Sequence, residues 1–193
     1  MIGRLTILLL AVLIGSCAAP PREAPGARAN PVADVVNRYR ADQGLPRIAV
    51  SAKLTRVAEA HVADLESHYR KGGGCNLHSW SKHGPWRACC YSPDHRDADC
   101  MRHKPQEITG AYDSPGYEIV AHYKETESGG GAPTRVTGIT PQRALEIWQE
   151  SPAHHAMILN TRQWAEHPWR AIGAAIGTHY AVVWFGELEN SGD

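Results

Sequence analysis

The chain has 193 residues, and removal of a leader ending at Ser16 leaves 177, enough for one domain with a hydrophobic core and too few for two of ordinary size. Apolar and charged fractions of 42% and 21% lie in the globular range and argue against a largely disordered chain or a multi-span membrane protein. Lys plus Arg and Asp plus Glu are 20 each, and the leader removes only Arg4, so the near-neutral balance speaks against electrostatic binding to nucleic acid.

Met1 to Arg4 followed by the apolar run Leu5 to Ile14 has the form of a secretion signal over residues 1–16, too short for a lasting membrane span. The run ends in Ile14-Gly15-Ser16-Cys17, which resembles a bacterial lipobox and makes Cys17 the expected lipidated N-terminus; the alternative is an ordinary signal beside a chance cysteine. Residues 17–29, rich in Pro and Ala without apolar periodicity, read as an extended tether before a folded domain over 30–188 and a tail over 189–193.

Asn30 before Pro31 is an N-cap signal, and Val32, Val35, Val36 and Tyr39 recur at helical spacing until Gly44. Ser51 opens a second helix with Leu54, Val57, Ala58, His61, Leu65 and His68 on one stripe, closed by Gly72 to Gly74. His61, among apolar neighbours, reads as a hydrogen-bonded core residue and is left outside the site. Ser92-Pro93, Thr140-Pro141 and Ser151-Pro152 repeat the cap signal and predict three short helices. Gly116 to Tyr123 reads as extended, Ser128 to Gly131 as a flexible excursion, and Ala171–Ile176 with Tyr180–Phe185 as a hairpin of buried strands. Helices first and strands last give an α+β sandwich.

Apart from Cys17, the cysteines are Cys75, Cys89, Cys90 and Cys100, an even number in a chain expected to leave the cytosol, which favours two disulfides. A bond between neighbours Cys89 and Cys90 would be strained, so each is expected to reach Cys75 or Cys100. The alternative, a four-thiolate zinc site, lacks the usual ligand spacing. Eleven His, an unusual number, invite a search for a metal or acid/base site.

Six segments in order resemble the landmarks of the CAP superfamily of cysteine-rich secretory, antigen 5 and pathogenesis-related proteins. They are Asn37 to Pro46, Ala58-Glu-Ala-His61, Leu77-His78-Ser79, Gly116-Tyr-Glu-Ile119, Trp148 to His155 and Tyr180 to Gly186. The resemblance implies an α-β-α sandwich and a cleft with two His and two Glu able to take a divalent cation such as zinc. It assigns His78, Glu118 and His154 to that cleft, with Glu150 as fourth member because it follows Trp148; Glu146, before the tryptophan, is the competitor. Two departures stand out: Glu118 lacks the family's following Asn, and the stretch between His78 and Glu118 is long, expected to roof or border the cleft.

Two imidazoles and a carboxylate could hold zinc with a position open for water, the other Glu acting as base or fixing a His. Pro152 is expected to break the helical row joining Glu146, Glu150 and His154, and His155 should point to solvent. Three functions follow: a lipid-anchored, extracytoplasmic cell-envelope protein binding a cation and a small ligand (lipid, sterol, peptide or wall component); a zinc-dependent hydrolase; or an interaction protein whose His/Glu set is structural. Exposure of Trp80, Trp86, Trp164 and Trp169 as one patch would favour the last.

Overall fold

The computed structural model describes residues 29–123 and 138–189. The leader, Cys17, nearly all of the tether and Ser128 to Gly131 lie outside them. Helix α1 (Pro31–Asp42) starts as its sequence dictates: Asn30 Oδ1 accepts from Ala33 N at 3.1 Å, while Asn30 Nδ2 donates to Ala174 O at 2.8 Å and ties the helix start to the sheet. Strand β1 (Ala49–Val50) follows, then α2 (Ala52–His68), capped by the Ser51 hydroxyl accepting from Leu54 N. Two short helices, α3 (Ala98–Arg102) and α4 (Lys104–Thr109), precede β2 (Gly116–His122). Helices α5 (Pro141–Glu150) and α6 (Pro152–Ile158) and strands β3 (Ala171–Ile176) and β4 (Tyr180–Gly186) complete the chain.

The four strands form one sheet in the order β1-β3-β4-β2, with β1 parallel to β3 and the other pairs antiparallel. Alternation along each strand divides the core between the two faces. Ile119, Ala121, Ile172, Val183 and Phe185 pack with α1, α5 and α6, whereas Val120, Val182 and Trp184 pack with Leu54, Val57, Ala58 and Leu65 of α2. Strand β4 is buried on both sides, which explains its unbroken apolar run. The helix α2 backbone lies directly on Gly173 of β3: a Cβ there would come within 2.1 Å of the Leu54 carbonyl carbon, so only glycine admits this approach.

The α+β sandwich expected from the sequence is present. One element departs from expectation: no helix starts at Ser92-Pro93. The Ser92 hydroxyl turns to Asp94 Oδ1 (2.5 Å), His95 takes a left-handed φ of 59°, and α3 begins only at Ala98. Two disulfides, Cys75–Cys90 and Cys89–Cys100, span Cα distances of 5.0 and 5.7 Å and tie down the long stretch after His78, so that each vicinal cysteine does reach outward. The four tryptophans divide into two separate groups, Trp80 with Trp86 and Trp164 with Trp169, rather than one patch, and Trp80 and Trp169 are buried.

Candidate functional site

Strand β2 is an edge strand, and Glu118 on it faces the α2 layer, paired in register with Trp184 of β4. Its side chain is 0% exposed, so its carboxylate needs partners from the protein. Two imidazoles supply them: His61 Nδ1 of α2 donates to Oε1, and His78 Nδ1 donates to Oε2 at 2.9 Å. Burial pushes the Glu118 carboxyl up, yet the combined pull of His61 and His78 outweighs it and holds the group below the ordinary Glu value. In a neutral His78 that donates its Nδ1 hydrogen to Glu118, the lone pair sits on Nε2. The His78 side chain is 18% exposed, so this nitrogen belongs to a group that solvent can reach.

His154 comes from the opposite layer. Ser151 ends α5 and caps α6, its hydroxyl accepting from His154 N, and Pro152 starts α6 in a new direction, breaking the row with Glu146 and Glu150 as its chemistry requires. Helix α6 is held to α1 by Arg40, which donates to Ile158 O and to Asn160 Oδ1 (2.7 Å), and by Tyr39 Oη against His155 Nε2 (2.7 Å). His155 is therefore half-buried and hydrogen-bonded to Tyr39, not turned to solvent as expected. The His154 ring stands edge-on to His78, centroids 6.1 Å apart, and its Nδ1 is buried with no hydrogen-bond partner among the described residues. Burial, reinforced by His78 and opposed by Glu118, drives its pKa down to about 4, so it is neutral at neutral pH.

His78, Glu118 and His154 are thus brought together. Glu150 is solvent-exposed at the last turn of α5, and Glu146 bonds to Arg143 at 2.9 Å; neither hydrogen-bonds to the other three among the described residues. His61, set aside as a core residue, is one: its side chain is 0% exposed. It nevertheless touches the site directly, because α2 lies on β3 and β4, on the same face of the sheet that carries Glu118. In sequence it stands on the apolar stripe and in the family segment Ala58-Glu-Ala-His61, and neither signal distinguishes a core histidine from one facing a carboxylate.

The stretch after His78 borders the site as expected. Tyr91 lies against His78 (centroids 5.4 Å), Ser79 Oγ accepts from Tyr91 N (2.9 Å), and Trp80 bridges to Cys89. Asp64 of α2 accepts from Ser81 N (2.7 Å) and Ser81 Oγ (2.5 Å), pinning the loop beyond Trp80. Between this stretch and the second half of α2 lies a cavity of about 380 Å³ against Leu65, Tyr69, Trp80 and the Cys75–Cys90 disulfide.

His78 and His154 are the two imidazoles of this cluster that could face one cation. Two imidazoles sharing a tetrahedral ion at about 2.0–2.1 Å have ring centroids about 5 Å apart, close to the 6.1 Å between His78 and His154. Glu118, with both oxygens occupied, fits the role of a carboxylate orienting a ligand through its second nitrogen. Among the described residues no group of three or more His, Cys, Asp or Glu side chains is disposed to hold a metal.

In structure the chain is similar to a cysteine-rich secretory protein from Staphylococcus aureus subsp. aureus Mu50, with TM-score 0.50, 13% identity and coverage of 81% of this chain and 37% of that one. It is similar to an extracellular protein containing a SCP domain from Bacillus anthracis str. Ames, with TM-score 0.52, 15% identity and coverage of 81% and 39%. An outer surface protein of Borrelia burgdorferi aligns at TM-score 0.47 and 17% identity over 82% and 90%. The chain spans well under half the length of the first two proteins. No curated protein matches it in sequence. The family model of the cysteine-rich secretory proteins matches residues 33–163, more than half of the chain, from the third residue of α1 through α6, and the chain therefore belongs to the CAP family.

Proposed function

We propose that this protein works outside the cytoplasm, held to the membrane by lipid on Cys17, and that its cleft binds a divalent cation such as zinc through His78 and His154 together with a small ligand. The observation that carries the cation reading is the pairing of nitrogens. Glu118 accepts the Nδ1 hydrogen of His78, which in a neutral ring leaves the lone pair on Nε2, and beside it stands a neutral His154 whose buried Nδ1 has no partner among the described residues. The extracytoplasmic reading draws support from the two disulfides, which persist in oxidising compartments, and from relatives described as secretory or extracellular. No helix among the described residues is long and apolar enough to cross a membrane. The small ligand would lie not at the imidazoles but in the neighbouring cavity beside Trp80, about 380 Å³, whose walls include Ser79 and neither His78, Glu118 nor His154.

Equilibrium dialysis with zinc tests the reading: affinity should fall sharply in His78→Ala and in His154→Ala, and binding unchanged in both would refute it. Glu150→Gln separates the ligand sets, since lost affinity would add Glu150 to them and retained affinity would leave the two imidazoles alone. A second reading, in which the cluster is structural, is favoured by the complete occupation of both Glu118 oxygens within the protein. It predicts a folded, stable protein with no affinity for divalent ions.

A further inference from the structure

Helix α2 contributes to the site one side chain that no part of the proposed cation reading requires, and its contacts are more constrained than those of a core residue. His61 Nδ1 lies against Glu118 Oε1, and His61 Nε2 lies 3.0 Å from Ser79 O. A carboxylate oxygen and a peptide carbonyl are both acceptors, so each ring nitrogen of His61 faces an acceptor. Its flat face lies on Trp80, centroids 4.1 Å apart and planes 8° from parallel. One buried imidazole thereby fixes three things at once: the carboxylate on β2, the main chain immediately after His78, and the indole beyond it.

We infer that His61 is a positioning residue for the His78–His154 pair, holding Glu118 and the Ser79 carbonyl so that Glu118 Oε2 selects the Nδ1–H form of His78 and turns Nε2 outward. The inference rests on the reading of His78 as the reactive histidine but concerns a different property of it, the location of one hydrogen. With His61 in place, Glu118 Oε1 is already committed and the carboxylate cannot rotate away from His78 without abandoning a buried donor, which is costly. With its hydrogen bonds removed, Glu118 is free to turn, and the His78 loop loses its tie at Ser79. A residue that merely filled the core would fix neither the carboxylate nor the hydrogen on His78.

The test is nitrogen NMR of the histidine side chains in the metal-free protein, which separates the two neutral forms of each ring. In the unaltered protein His78 should carry its hydrogen on Nδ1; His78 with its hydrogen on Nε2 would overturn the inference without any variant being made. His61→Phe keeps an aromatic ring on Trp80 and removes both ring nitrogens. With native circular dichroism and both disulfides retained, it should mix the two forms of His78 and weaken zinc about 10–100-fold, the usual effect of losing an orienting partner behind a ligand. His61→Gln, which restores one donor, should recover part of the loss. A folded His61→Phe protein with His78 still wholly in the Nδ1–H form refutes the role. Should the unaltered protein take up no zinc, the cation reading falls while the hydrogen on His78 still decides the positioning role.

Discussion

His154 gives the site its most quantitative consequence. Held at about 4 in the folded protein by burial and by His78, it returns to about 6.5 when the chain unfolds. Above the unfolded value the ring is neutral in both states and contributes nothing to the pH dependence. Between the two values the unfolded chain binds a proton that the folded one refuses, so stability rises with pH there and is lost as pH falls. At about 1.4 kcal/mol per pH unit, the window from about 6.5 down to about 4 amounts to about 3 kcal/mol, after which both states are protonated and the loss stops growing. The perturbation is His154→Leu, which removes this proton while leaving the other titrating groups in both proteins. Urea unfolding with disulfides intact and a chelator present, run from about pH 7.5 to about pH 4, gives two curves of stability against pH. The unaltered protein should lose about 3 kcal/mol more than the variant over that range. Parallel curves would mean that His154 is not shielded from protons, and the assignment of a buried neutral ring would be wrong.

Other outcomes follow from the same geometry. Glu118→Gln leaves a single acceptor oxygen between two imidazole N–H groups and removes the charge facing His61. Breaking a buried pair in this way should cost about 3–5 kcal/mol, seen as a fall in Tm of about 6–20 °C for a domain of this size; an unchanged Tm would contradict the double contact. Mild reductant should open Cys75–Cys90 before Cys89–Cys100, because Cys90 is exposed and Cys89 is buried at 5% exposure. Differential alkylation read by mass spectrometry would reveal the reverse order if that reasoning is wrong. Replacing both Cys89 and Cys100 by Ser should cost about 2–4 kcal/mol by freeing the unfolded chain, and denaturant titration measures it. Cys17→Ser should abolish acyl labelling and membrane association together, and persistence of both would end the lipoprotein assignment.

The helix starts were legible residue by residue because their signals are local: Asn30-Pro31, Ser51, Thr140-Pro141 and Ser151-Pro152 each cap a helix through a side chain that reaches only three residues ahead. The buried hairpin of β3 and β4 was legible from its apolar run, and the membership of His78, Glu118 and His154 from ordered family segments. Ser92-Pro93 carried the same local signal and misled, since the Ser92 hydroxyl found Asp94 instead of a helix amide. Strand β1, two residues long, has no periodicity to read and exists through its parallel pairing with Ala171 and Ile172. His61 illustrates the general limit most clearly. Sequence placed it on the inward stripe of α2, because a 3.6-residue period determines which side of a helix faces the core. Which atoms it would meet there depended on how α2 lies on the sheet and against the loop of Ser79, contacts separated by 57 and 18 residues, and only tertiary packing sets that placement.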